Sequence, residues 1–236
     1  MDKLVNYLCI IQARTNSSRL PAKIMLDLAG KTLLERVYET VSKSNKIDQI
    51  IVATSNKVSD DIVEVKLKSL KIECFRGDLN NVLKRFFDAT QKYQTKNIIR
   101  ITADNPLMDH TVIDDLLHHY EQSKSEYSTF SNAIYGLSAE VFSYDALKLA
   151  YDNTYDTYDQ EHVTPYIRNN CKTIMIDIDK KYKRPESSVT VDTLEDYIKM
   201  QQFYLFCKDN NLEHNIDTYL DLYDKKIISG FQHHAF

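Results

Sequence analysis

Short apolar runs alternate with amphipathic stretches through the first half of the chain. Leu8, Cys9, Ile10 and Ile11 form the first run, 49–54 and 97–102 form two more, and 72–75 is shorter; each reads as a buried strand. Between them, residues 31–44 place Leu33, Leu34, Val37, Tyr38 and Val41 on one helical face. Residues 58–70 read as a helix through Ile62, Val65, Leu67 and Leu70, 82–93 through Val82, Leu83, Phe86 and Phe87, and 110–121 through Val112, Ile113, Leu116 and Leu117. Strands that alternate with helices in this way predict an α/β fold with a mainly parallel sheet. The second half is less regular. Residues 127–131 and 134–142 read as strands with a turn at Gly136, 144–153 as a helix, and 156–168 as a polar stretch that becomes helical. Further strands are expected at 173–178 and 188–191, and helices at 194–210 and 215–222, ahead of a frayed polar tail at 232–236. No internal repeat interrupts the pattern.

The stretch after the first strand is the most chemically loaded part of the chain. A polar loop carries Arg14, Thr15, Asn16, Ser17, Ser18, Arg19 and Lys23, and Pro21 fixes its exit. Guanidinium groups offer forked donors to phosphate oxygens and a lysine adds a point charge, so the loop suits a polyphosphate. Loops at the carboxyl ends of sheet strands are also where open α/β folds bind ligands. The alternative is an ordinary solvated loop. It is not a Walker loop, because the chain contains no G-x-x-x-x-G-K-[ST]. Two acids also follow apolar strands. Asp104 stands before Asn105-Pro106, where an Asx-turn or a cap for the next helix is the competing reading. Asp192 follows Val189-Thr190-Val191, where Glu195 and Asp196 make helix capping the competing reading.

Composition narrows the partners. The chain has 236 residues with 43% hydrophobic content, Tyr 16 and Phe 9, enough for a sizeable core. A formal net charge of −4 argues against general binding to nucleic acid or a membrane surface, so any anion site is local. Cys9, Cys74, Cys171 and Cys207 are far apart and read as reduced thiols of a cytoplasmic protein. The apolar run near the start is too short for a signal peptide, and no stretch is apolar for long enough to span a membrane.

The order of residues adds a family likeness. QAR-x-x-S-x-R-L-P-x-K over 12–23, followed by GKTLLERV over 30–37, resembles the signature of cytidylyltransferases that activate sugar acids as CMP conjugates, above all the branch named after the spore-coat polysaccharide protein SpsF. Glycines are usual in that loop where Asn16 and Ala22 stand here, and a glycine is usual in place of Ala103. Asp104 and Asp192 match the family's two acids at strand ends, and R-G-D-L-N-N-V-L-K-R over 76–85 is similar to a segment near the base and ribose. D-Q-E-H-V-T-P-Y-I over 159–167, and a patch holding Asn132, Gly136, Leu137 and Glu140, are similar to acceptor-facing parts of the SpsF-like branch.

The resemblance implies a three-layer α/β/α Rossmann-like nucleotidyltransferase fold, akin to the GT-A type, in one domain with 127–178 as an irregular acceptor and dimerisation arm. It implies that CTP is held by Ala13, Arg14, Ser18, Arg19, Lys23, Thr54, Arg76, Asn81 and Arg85. Arg14, Lys23 and Asp104 would be catalytic, and Asp104 and Asp192 would hold Mg²⁺, a cation suited to one or two carboxylates plus phosphates. The acceptor, a sugar acid or a phosphate- or phosphonate-bearing relative, would meet Asn132, Glu140, Glu161, His162 and Arg168. A homodimer is also implied. A nucleotide-sugar glycosyltransferase is the rival enzyme; its D-x-D occurs only as Asp177-Ile178-Asp179, in an alternating strand before Lys180-Lys181. A non-catalytic nucleotide-binding subunit is the rival of another class.

Overall fold

A computed structural model describes residues 5–228 and 231–232. The first strand, β1 (Val5–Gln12), is followed by a two-residue hairpin of β2 (Asp27–Leu28) and β3 (Lys31–Thr32) and then by α1 (Leu33–Val41). β4 (Gln49–Ser55), α2 (Asp61–Ser69), β5 (Cys74–Gly77), α3 (Val82–Tyr93), β6 (Thr95–Thr102) and α4 (His110–Ser123) continue the alternation. β7 (Tyr127–Ser131), β8 (Glu140–Ser143), α5 (Tyr144–Asn153), α6 (Thr157–His162), α7 (Pro165–Asn170) and β9 (Thr173–Asp177) come next. β10 (Ser187–Ser188), α8 (Leu194–Asp209), α9 (Ile216–Asp224) and β11 (Phe231–Gln232) complete the described chain.

Seven strands form one sheet in the order β5-β4-β1-β6-β8-β7-β9. Only β8 runs against the rest, since it is antiparallel to both β6 and β7. Alternation along β1 explains the layers. Cys9 and Ile11 pack on one face with Val37, Ile113, Leu116 and Phe203. Leu8 and Ile10 pack on the other face with Leu83, Phe86, Leu147 and Ile167. A strand buried on both faces needs helices on both sides, and the result is a three-layer α/β/α Rossmann-like fold. Segment 127–178 is therefore part of this sheet: it contributes β7, β8 and β9.

Several expected boundaries move for local reasons. The helix expected from residue 31 begins after Thr32, whose side chain and Glu35 form a reciprocal capping box. α2 buries Val63 and Leu67, whereas Ile62 and Val65 are exposed, so the face expected from Ile62 and Val65 is the solvent face. Of the strand expected over 134–142 only the part from Glu140 pairs in the sheet, as Glu140–Ser143; 133–139 is a loop that buries Ile134, Leu137 and Ala139, exposes Tyr135 and turns at Gly136. Residues 189–191 are buried without joining the sheet; Val189 N–H bonds Tyr135 carbonyl at 2.8 Å and Val191 N–H bonds Asp104 carbonyl at 2.9 Å. Gln232, expected in a frayed tail, pairs with Ser187; residues 233–236 of that tail and residues 1–4 lie outside the described residues. Among the described residues no helix is long and apolar enough to cross a membrane.

Candidate active site

The loop leaving β1 is fixed at both ends. Ala13 N–H continues the strand's bonding to Ala53 carbonyl at 3.0 Å. Thr15 is then held by Asp60, which accepts from its backbone N–H at 2.8 Å and its hydroxyl at 2.6 Å. Asp60 also accepts from the N–H and hydroxyl of Ser55, at 3.2 and 2.5 Å. Burial disfavours the Asp60 charge, but these four donors outweigh it and hold the carboxyl below the usual range. The loop closes where Ala22 N–H bonds Thr15 carbonyl at 2.9 Å. Ala22 there is left-handed, with φ 54°. That backbone is easy for glycine, which accounts for the glycine usual at this position.

The turn aims Lys23 at the strand ends. Its ammonium lies 2.7 Å from a carboxylate oxygen of Asp104 and 2.7 Å from one of Asp192. Arg19 adds a contact of 3.0 Å to Asp192. Burial works against the Lys23 charge, but the two carboxylates prevail and raise its pKa. Neither acid caps a helix. Asp109 caps α4 through Thr111 N–H, and Thr193 with Asp196 forms the capping box of α8. Both carboxylates are thus left to the cleft. The two segments are tied directly, because Thr190 hydroxyl bonds Asn105 Oδ1 at 2.8 Å. Gly136 seals that junction: its φ is +95°, and an added Cβ would lie 2.5 Å from Thr190 Oγ1.

Asp104 Oδ1 is buried and has no hydrogen-bond partner. An orphaned carboxylate oxygen beside a second acid is an incomplete oxygen-donor set, and it fits a hard divalent cation that takes its remaining ligands from phosphates and water. Among the described residues no group of three or more His, Cys, Asp or Glu side chains is poised to hold a metal. A site here would rest on these two acids plus ligands from outside the chain.

From this corner a cleft of about 860 Å³ runs across β6, β8 and β7. Its lining includes Arg14, Ser18, Arg19, Lys23, Asp104 and Asp192 at one end, and Arg100, Asn132, Glu140, His162 and Arg168 beyond them. A family model described as cytidylyltransferase matches residues 8–229 of the chain.

The chain belongs to the cytidylyltransferase family.

It is accordingly a nucleotidyltransferase enzyme. An uncharacterized protein of Methanocaldococcus jannaschii is 39% identical over 201 residues, covering 83% of each chain. The spore coat polysaccharide biosynthesis protein SpsF of Bacillus subtilis is 32% identical over 207 residues, covering 84% of this chain and 86% of its own. A solved cytidylyltransferase from Leptospira borgpetersenii superposes with a TM-score of 0.84 at 26% identity, covering 98% of both chains.

Within this cytidylyltransferase the other expected site residues divide. Glu161 is bound to Arg14 at 2.8 Å. Asn132, left-handed at φ 59°, donates to Asp177 at 2.8 Å. Asp177 also pairs with Lys183, and Asp179 caps the turn at Lys181, so the D-x-D acids have local partners. His162 and Thr164 flank Val163 (φ 70°, ψ −53°), and Thr164 N–H bonds His162 carbonyl at 2.8 Å. This strained γ-turn buries Val163 and turns both neighbours to the cleft.

The residues expected to contact the nucleotide on the β4 side sit outside the cleft and have partners within the chain. Arg85 is fully buried, and its guanidinium donates to the carbonyls of Asp78, Leu79 and Ala53 at 2.9, 3.1 and 3.3 Å. Gly77 permits its approach, since a Cβ there would meet Arg85 Cγ at 2.7 Å. Arg76 pairs with Asp61 and Glu64, and donates to Ser55 and Lys57 carbonyls. Asn81 caps α3 by accepting from Lys84 N–H. Thr54 and Ala13 are buried. None of these five lines the cleft. Sequence reasoning missed Gln12 and Arg100 in the lining of the cleft, and Asp60 as the support of the loop. No local signal marks Asp60; Arg100 stands in the strand leading to Asp104 and reads as an ordinary strand residue until β8 is placed beside it.

Proposed function

We propose that the protein transfers CMP from CTP to an anionic sugar acceptor, a sugar acid in the first instance, with release of pyrophosphate, in surface-polysaccharide biosynthesis. The observation that carries this reading is Lys23: a residue of the basic loop bridges two acids that are 81 and 169 positions away in sequence. The SpsF relative's place in polysaccharide biosynthesis and the match of 12–23 to CMP-sugar-acid synthetases supply the acceptor class.

In this reading an acceptor hydroxyl oxygen bonds to the α-phosphorus of CTP. The bond from that phosphorus to the α–β bridging oxygen breaks, pyrophosphate departs and the hydroxyl proton is released. Arg14, Arg19 and Lys23 hold the triphosphate in line and neutralise charge growing on the leaving group. Ser18 donates to a phosphate oxygen. Asp104 and Asp192 hold Mg²⁺, which when bound supplies positive charge to the phosphate oxygens. Lys23 and Arg19 exchange their carboxylate partners for phosphate, which leaves Asp104 and Asp192 open to the cation, and Arg14 exchanges Glu161. His162, Arg168 and Asn132 face the acceptor from the far end of the cleft. The chain acts as one domain in the cytoplasm, paired with a second copy through 127–178.

The test is pyrophosphate release with Mg²⁺, comparing CTP, UTP, ATP and GTP over a panel of sugar acids and phosphorylated polyols. CTP-specific release that requires an acceptor is expected. Tight nucleotide binding without release from any pair would sink the transferase reading of this site, and a monomeric mass in light scattering would sink the dimer.

A further inference from the structure

Glu140 lies on β8 directly opposite Arg100 of β6 in the antiparallel register. One of its oxygens accepts from the Tyr127 hydroxyl at 2.5 Å and from the Thr164 hydroxyl at 2.7 Å. The other pairs with Arg100 Nη1. Burial disfavours this carboxylate, but Arg100, Tyr127 and Thr164 outweigh it and hold its pKa below the usual range. Glu140 therefore stays ionised, is engaged at both oxygens, and has the wrong sign to receive an acid. The two patches that resemble the SpsF-like branch, one holding Glu140 and the other Thr164, meet at this carboxylate.

Its partner is differently placed. Arg100 Nε donates to Gln12 Oε1 at 3.2 Å, and Nη1 to Glu140. A guanidinium carries five N–H donors, and the others on Arg100 have no acceptor among the described residues. Arg100 lines the cleft, as does Arg168, whose side chain makes no hydrogen bond or ion pair among the described residues. Two guanidinium groups against one carboxylate leave this end of the cleft positive. Arg100 also stands four residues before Asp104, roughly 13 Å back along the strand, away from the corner where the loop cations meet the acids.

We propose that Arg100, clamped by Glu140 and Gln12, is the anchor for the acceptor's anionic group, and that Glu140 is a positioning residue and makes no acceptor contact. The proposal rests on the reading of this cleft as the acceptor site. A guanidinium fixed by two partners gives paired, charge-assisted bonds to an oxyanion with little ordering left to do. Carboxylate and phosphate share that chemistry, and the test separates them.

The full-length protein is titrated with 3-deoxy-manno-octulosonate and its methyl ester, with sn-glycerol 3-phosphate and glycerol, and separately with CTP and Mg²⁺. One anion is expected to bind more tightly than its uncharged counterpart, which names the group. Arg100→Met then lowers that affinity at least tenfold, Arg100→Lys lowers it less, and Glu140→Gln falls between wild type and Arg100→Met. In turnover the same variants raise the acceptor KM while the CTP KM stays within about twofold, a split that loss of structure would not produce. If Glu140→Gln fails to fold, the Arg100→Lys and Arg100→Met pair carries the test. Unchanged anion affinity in Arg100→Met overturns the proposal, as does a wild type that prefers neither anion to its uncharged counterpart. Failure of the wild type to bind CTP would instead overturn the functional reading, and the anion titrations would still be read on their own.

Discussion

The two flanks of the basic loop treat charge in opposite ways. On the β4 flank, Asp60 and Arg85 are fully buried, and each is surrounded by neutral partners that satisfy it: hydroxyls and N–H groups for the acid, carbonyls for the guanidinium. On the β6 flank, Lys23, Asp104 and Asp192 face one another across the mouth of a cleft, and Asp104 keeps an oxygen without a partner. A buried charge whose polar atoms are each bonded to neutral groups of the chain has less to gain from a ligand, which fits a scaffold. A charge balanced by another mobile charge can exchange that partner for phosphate or metal. Charged residues near this basic loop are therefore sorted by how their partners are made, and proximity to the loop alone does not sort them.

The largest test of this contrast is catalytic. Asp104→Asn and Lys23→Ala are expected to cut CTP-dependent pyrophosphate release by at least ~100-fold, with melting temperatures close to wild type. Activity that fell only in step with melting temperature would erase the difference between the flanks. Next, Arg85→Met removes the donor from the Asp78 and Leu79 carbonyls, while Ala53 carbonyl keeps Ala13 N–H, and is expected to cost about 3 kcal/mol in urea unfolding. The CTP KM of the folded fraction should change little; a large rise would return Arg85 to the binding site.

Asp60→Asn is expected to cost about 1–3 kcal/mol, and its pH dependence carries the sign. The folded carboxyl titrates below its unfolded value of about 3.9, so its stabilisation is complete above that pH and fades as pH falls through the folded value. The asparagine variant should therefore show a shallower loss of stability in acid than wild type, and parallel acid limbs would contradict the role given to Asp60. The smallest effect belongs to the loop itself. Ala22→Gly relieves a left-handed alanine at φ 54° but adds chain entropy, so stability should change by no more than about 1 kcal/mol, in the stabilising direction. A clear destabilisation in calorimetry would mean that the loop does not take this path.

Much of the corner where Lys23 meets the two acids is legible in the sequence. Lys23, Asp104 and Asp192 stand in short patterns at strand ends, and their competing roles as helix caps fall to neighbours also visible in sequence, Asp109 and the Thr193–Asp196 pair. The partners of Arg76 and Arg85 are not legible, because a motif gives a side chain's address along the chain and not its direction. Arg85 turns inward past Gly77 to three carbonyls, and Arg76 turns out to Asp61 and Glu64. Arg100 carries no mark in the sequence because its meaning depends on Glu140, 40 residues away.

Alternating apolar runs and helical stripes by themselves determined a layered α/β chain, since a strand apolar on both faces must be covered on both. The run of Arg, Ser and Lys after β1 likewise determined a loop rich in cations and hydroxyls. Tertiary structure decided which acids are open and which are closed, which guanidinium faces the cleft, and that 127–178 joins the main sheet. Those outcomes depend on strand order and on hydrogen-bond partners brought together across long separations, and such pairings leave no periodic trace in the chain.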